Sequence, residues 1–129
     1  MISHLLDTHA ILWTLNDDAC LGNYARKIVT KAVSHELAIS ALSLLEISML
    51  IEKRRIHLDL ASIDFLKKIE TSFTVIPLDA IIASEAMQIP LSHGDPFDRV
   101  IVATARSQGL TLLTKDRAIT ESGLVPVIW

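Results

Sequence analysis

Only one cysteine, Cys20, occurs among the 129 residues, so neither an intramolecular disulfide nor a cysteine-based zinc cluster can be built. A reducing compartment, the cytoplasm, is the expectation. The four glycines, Gly22, Gly94, Gly109 and Gly123, are too scattered to form a glycine-rich phosphate cradle, and no Gly-x-Ser-x-Gly elbow occurs. Long apolar runs are missing as well. Ser40, Ser43, Glu46 and Ser48 interrupt the most hydrophobic stretch before it reaches the ~18 residues of a membrane span. Residues 1–6 lack a basic n-region and run straight into Asp7, so no export signal is expected. A basic excess is also lacking: twelve Lys and Arg stand against fifteen Asp and Glu, a formal charge of −3, which argues against a uniformly basic nucleic-acid-binding surface.

What is present is apolar. A hydrophobic fraction of 50% with 21% charged residues and a mean hydropathy of +0.42 excludes disorder as the main state. The length fits one domain spanning 1–129. So much hydrophobicity in a small chain also suggests an apolar patch covered by another chain, with residues 10–15 and 44–51 as candidates for the patch or for the core.

Short β-prone runs fall at residues 2–6, 37–40, 73–78, 110–114 and 125–129, mostly without polar alternation, as in a sheet covered on both faces. Between them lie segments of helical period. Ala25, Ile28, Val29, Ala32 and Val33 form one stripe; Leu60, Ile63, Leu66 and Ile69 form a second after the candidate N-cap Asp59; Asp79 is placed to cap a third helix ending near Met87. Strand and helix in alternation predict an α/β fold, with a mostly parallel sheet of about five strands and helices on both faces. Such sheets carry their sites at the carboxyl ends of the strands.

Acidic residues fall at those ends. Asp7 closes the first run and Asp116 follows the fourth by two residues, each readable as a helix N-cap. Glu46 is the only charge in the apolar helical segment 42–51, where an unpaired carboxylate costs several kcal/mol. It therefore calls for a salt bridge, a cation or a raised pKa. In Ser92-His93-Gly94-Asp95-Pro96-Phe97-Asp98-Arg99, Asp95 is a natural N-cap and Pro96 a natural first helical residue, which leaves Asp98 in the first turn without a capping role. Two carboxylates ~4 Å apart repel by about 4 kcal/mol at an effective dielectric of 20, so a cluster of four requires counter-charge. All-oxygen donors without cysteine select hard ions such as Mg²⁺ or Mn²⁺, whose natural chemistry is phosphoester hydrolysis.

Asp7-Thr8-His9 after the first strand, Glu46 in an apolar helix, His93 to Arg99 opening a helix and Thr114-Lys115-Asp116 after a strand together resemble the PIN-domain ribonucleases, specifically the short VapC-type toxins of toxin–antitoxin pairs. The likeness spans nearly the whole chain, and Asp-Pro-Phe-Asp-Arg is its most specific string. It implies a three-layer α/β/α sandwich and Mg²⁺- or Mn²⁺-dependent endoribonuclease activity, with RNA as substrate, a homodimer and a cognate antitoxin. Asp7, Glu46, Asp98 and Asp116 would be the catalytic, metal-binding acids. Thr8 and Thr114 would be supporting hydroxyls, with Asp95 and Arg99 as accessories. Setting aside Asp7, Glu46, Asp95, Asp98 and Asp116 leaves ten acids against twelve bases. Lys53, Arg54, Arg55, Arg99, Lys115 and Arg117 are then candidate phosphate contacts, although 53–55 also reads as a solvated helix C-terminus. His9 and His93 offer a metal-free acid–base pair as an alternative. A receiver-like phosphoacceptor domain and a non-catalytic interaction domain are the other readings. The first fits poorly, because Thr8 stands where such domains carry a second acid.

Overall fold

A computed structural model describes residues 1–33, 36–92 and 94–129. Its elements run β1 (His4–Leu6), α1 (Thr8–Leu15), α2 (Asn23–Lys31), β2 (Leu37–Ser40), α3 (Ala41–Glu52), α4 (Ser62–Ser72), β3 (Thr74–Ile76), α5 (Ala80–Gln88), α6 (Pro96–Gln108), β4 (Thr111–Leu113), α7 (Arg117–Ser122) and β5 (Val127–Ile128). The five strands form one parallel sheet in the order β3-β2-β1-β4-β5. The chain thus builds outward from β1 to β2 and β3, then returns to the other side of β1 for β4 and β5. The gap between β1 and β4, where that direction reverses, is the switch point at which doubly wound sheets open a crevice.

Neighbouring side chains on each strand point to opposite faces, and the core divides accordingly. Leu5, Ala38 and Leu112 pack with Ile82 and Ala86 of α5, with 100–103 and Ala105 of α6 and with Ile119 of α7. Leu6, Ile39 and Leu113 pack with Ala10–Leu12 of α1, Ala25 of α2, Ile47 of α3 and Phe65 and Ile69 of α4. Three layers follow, as expected for apolar strands flanked by crossover helices.

The strands are shorter than the apolar runs that announced them. Phe73 ends α4 rather than opening β3, and Pro77, which has no N–H to give a sheet, follows the end of β3. The second helical stripe holds only in its second half, where Ile69 is buried and Leu66 packs against the core. α4 begins at Ser62 with Ala61 as its N-cap and no side-chain capping bond, so Asp59 is not the cap. Leu60 and Ile63 are exposed, and the larger Phe65 takes the core position one turn before Ile69. α2 similarly stops at Lys31 and leaves Val33 exposed. Asp79 does cap α5, accepting from the Ile82 N–H at 2.8 Å. α6 ends on Gly109 at φ 65°, a left-handed conformation that glycine adopts without a Cβ penalty.

Candidate active site

Asp7 immediately follows the central strand and caps α1, its Oδ1 accepting from the Ala10 N–H at 2.8 Å. Its other oxygen accepts from the Thr114 hydroxyl at 2.5 Å, across the switch point between β1 and β4. The same Thr114 oxygen accepts from the Asp116 N–H at 3.1 Å, and Asp116 in turn caps α7 through the Ile119 N–H at 3.0 Å. One buried hydroxyl therefore sets the spacing of two acidic loops. Capping, the structural reading of Asp7 and Asp116, is present, and it does not compete with the functional one. Each cap uses one carboxylate oxygen, and both side chains still line the same cavity.

Glu46 reaches that cavity from the middle of α3. The hydroxyl of buried Thr8 donates to its Oε1. Among the described residues no basic side chain forms a salt bridge with Glu46; a hydroxyl takes the place the salt-bridge reading reserved for a cation. Asp95 caps α6, accepting from the Phe97 N–H at 2.9 Å, and Asp98 stands at the third position of the helix. The cavity, of about 470 Å³, is lined by Asp7, Glu46, Asp95, Asp98 and Asp116 with Thr8, His9, Trp13, Lys115 and Arg117.

These acids feel one another. Burial, followed by the charges of Asp95, Asp116, Glu46 and Asp7, pushes Asp98 up to about 7. Burial raises Glu46 against the opposing bond from Thr8, with Asp95 and Asp7 adding to the rise. Asp7 is raised by burial despite the bonds from Thr114 and Ala10. A desolvated, all-oxygen donor set of this kind suits a hard divalent cation in chemical type. Among the described residues no three Asp, Glu, His or Cys side chains are gathered closely enough to enclose an ion as they stand, so the fit is one of donor chemistry and convergence on one cavity.

Of the accessory residues, Thr8, Thr114 and Asp95 lie where the sequence put them, and Arg99 does not. Its guanidinium donates to the carbonyl oxygens of Ala86 and Ile89 at 3.0 Å and of Leu91 at 2.9 Å, on the α5 side of α6. This corrects its assignment as a phosphate contact or site accessory: three carbonyls engage the planar donor fork on the far side, and the residue is absent from the cavity wall. Lys53, Arg54 and Arg55 lie exposed at the C-terminus of α3, about 12 Å along the axis from Glu46, where the helix dipole favours cations. Lys115 and Arg117 do reach the cavity. His93 lies outside the described residues. Trp13 is the wall residue that sequence reasoning missed, and its signal was a position four residues after His9 on one helix face.

Four strand-end and helix-borne acids around the switch point of a five-stranded parallel sheet define a PIN-like α/β/α protein. The PIN domain family model matches residues 4–122, and the chain belongs to that family. Among curated proteins it is 33% identical over 120 residues to Ribonuclease VapC22 of Mycobacterium tuberculosis (strain ATCC 25618 / H37Rv), covering 92% of this chain and 91% of the relative. The fold matches that of DNA-bound VapBC from Salmonella typhimurium, with a TM-score of 0.73 at 21% identity over 99% and 98% of the two chains. It also matches VapC20 of Mycobacterium tuberculosis, described as a sarcin–ricin-loop-cleaving toxin, with a TM-score of 0.69 at 18% identity over 95% and 97%.

Proposed function

We propose that this protein is a metal-dependent endoribonuclease, the toxin of a toxin–antitoxin pair, acting as a single PIN-like domain in the cytoplasm. The observation that carries the reading is the convergence of Asp7, Glu46, Asp98 and Asp116 on one cavity that also presents Lys115 and Arg117. The 33% identity to a VapC ribonuclease supports RNA as the substrate.

Asp7, Glu46, Asp98 and Asp116 are the residues that would hold Mg²⁺ or Mn²⁺, with Asp95 at the margin. When bound, such an ion supplies Lewis acidity toward a phosphate oxygen and counter-charge for the acids. Thr8 and Thr114 each fix one carboxylate by donating to it, so the donors are oriented before substrate arrives. Lys115 and Arg117 meet the flanking phosphates. Hydrolysis adds water to phosphorus and breaks the P–O3′ bond, leaving a 5′-phosphate and a 3′-hydroxyl. A partner chain has a landing place in the exposed Leu45 and Met49, one turn apart on α3, and we assign that face to the homodimer or to the antitoxin. VapBC complexes among the structures of the same fold support an antitoxin as partner.

The test is cleavage of end-labelled total and transfer RNA with Mg²⁺, Mn²⁺ or EDTA, beside Asp7→Asn and Asp98→Asn. Discrete cuts with 5′-phosphate ends, lost in EDTA and in both variants, are expected. A cyclic phosphate product or metal-independent cleavage would sink the mechanism. No cleavage of any RNA by folded, antitoxin-free protein would sink the function.

A further inference from the structure

Trp13 has no part in holding a cation, yet its half-buried indole forms part of the wall that carries the acids. An apolar ring beside five carboxylates is costly to leave facing water unless something covers it. The ring is held firmly. Trp129 packs against it with centroids 5.6 Å apart at 59°, and His9, one turn earlier on α1, lies 5.4 Å away at 42°. Lys115 also lines the cavity and places its ammonium 5.9 Å from the Trp13 centroid, at the outer limit of a cation–π contact. The ammonium lies over the indole ring, and both residues line the cavity that holds the acids. A flexible lysine held so loosely is easily displaced, and its ammonium then has a phosphate within reach.

We propose that Trp13 is a stacking platform for one unpaired nucleobase next to the scissile phosphate, with Lys115 moving from the ring to the adjoining phosphate as the base arrives. This inference rests on the ribonuclease reading above and deepens it: the substrate at the cut is a single-stranded segment, because a base within a duplex has no free face to offer. Stacking tolerates any base, so Trp13 contributes affinity and register rather than a base code. The platform also explains how a protein of formal charge −3 holds RNA beside a cluster of acids: part of the attraction is uncharged. Trp13 touches substrate without touching the reacting atoms, so its loss raises KM and leaves kcat nearly unchanged.

The experiment uses an oligoribonucleotide spanning a mapped cut, with its bases replaced one at a time by abasic ribose, cleaved by the wild type, Trp13→Leu and Trp13→Phe. Leucine keeps the apolar packing against Trp129 without the ring face, and a thermal melt confirms that each variant is folded. Trp13→Leu is expected to raise KM by about 5- to 150-fold, the range for losing one base–aromatic stack, and Trp13→Phe is expected to restore most of the loss. One abasic position beside the cut should reproduce the Trp13→Leu defect and add nothing to it, the non-additivity of a shared contact. An unchanged KM in Trp13→Leu, or additive effects at every abasic position, would overturn the platform while leaving the nuclease intact. Wild-type protein that cleaves no RNA would overturn both.

Discussion

Asp98 carries a clear cost at the scale of single residues. Its folded-state pKa of about 7 lies above its ordinary 3.8, because burial and four neighbouring acids oppose its charge. Between those two values the folded protein keeps the proton and the unfolded chain releases it, so stability falls as pH rises from about 4 to 7 and the loss is complete above 7. Asp98→Asn removes the titration. In EDTA the variant should melt above the wild type at pH 8, with the gap closing toward pH 4, and Mg²⁺ should raise the wild-type Tm more than the variant's. Parallel melting curves across that range would contradict the account. Thr114 carries the opposite effect. Its donation holds Asp7 below the value burial alone would impose, so Thr114→Val should raise the Asp7 pKa and move the acid limb of the cleavage profile to higher pH. The same change leaves a part-buried Asp116 N–H without its hydroxyl and should cost about 1 kcal/mol by urea unfolding.

At the scale of elements, α6 is positioned by arginines as well as by its apolar face. Arg99 ties its first turn to three carbonyls at the end of α5, and Arg106 bonds Glu85 of α5 at 3.0 Å and the Leu124 carbonyl at 2.9 Å. Because Asp98 precedes Arg99 directly, that tie sets where the acid enters the cavity. Lysine keeps the charge but cannot span three acceptors with a planar fork, so Arg99→Lys should lose about 2–3 kcal/mol and most of the cleavage rate. A phosphate-binding Arg99 would instead tolerate lysine well, which makes the substitution decisive between the two roles. The sequence could not announce this partnership. Asp95, Pro96 and Asp98 describe their own helix start through local spacing, whereas the acceptors of Arg99 are main-chain groups of another element. The first half of the α4 stripe failed for a related reason: Leu60 and Ile63 obey helical period as Leu66 and Ile69 do, but only the tertiary approach decides that Phe65 faces the core. What local pattern did reveal was the strand-end acids, since a parallel sheet collects whatever follows its strands at one edge.

Closure of the whole molecule depends on a contact with no local signature, between the start of α2 and the last strand. The Tyr24 N–H donates to the Trp129 carbonyl at 3.3 Å, and the Trp129 ring packs on Trp13 of α1. The close approach is possible because residue 22 has no side chain. A Cβ on Gly22 would lie 2.4 Å from the Trp129 carbonyl carbon and 2.6 Å from its Cδ1, and a backbone atom cannot swing aside as a side chain can. Gly22 sits at φ −62° and ψ 157°, a conformation open to alanine, so backbone strain adds nothing and the clash alone sets the effect of substitution. Gly22→Ala should therefore destabilise by about 1–3 kcal/mol, the range for overpacking, and lower the Tm by several degrees. The displaced Trp129 would release Trp13, so the tryptophan emission should shift to the red and RNA affinity should weaken before any loss of the acidic site. Trp129→Ala in the Gly22→Ala background removes part of the clash but none of the backbone overlap, and should recover only part of the stability. Full recovery would mean that the ring, rather than the path of the last strand, limits the approach.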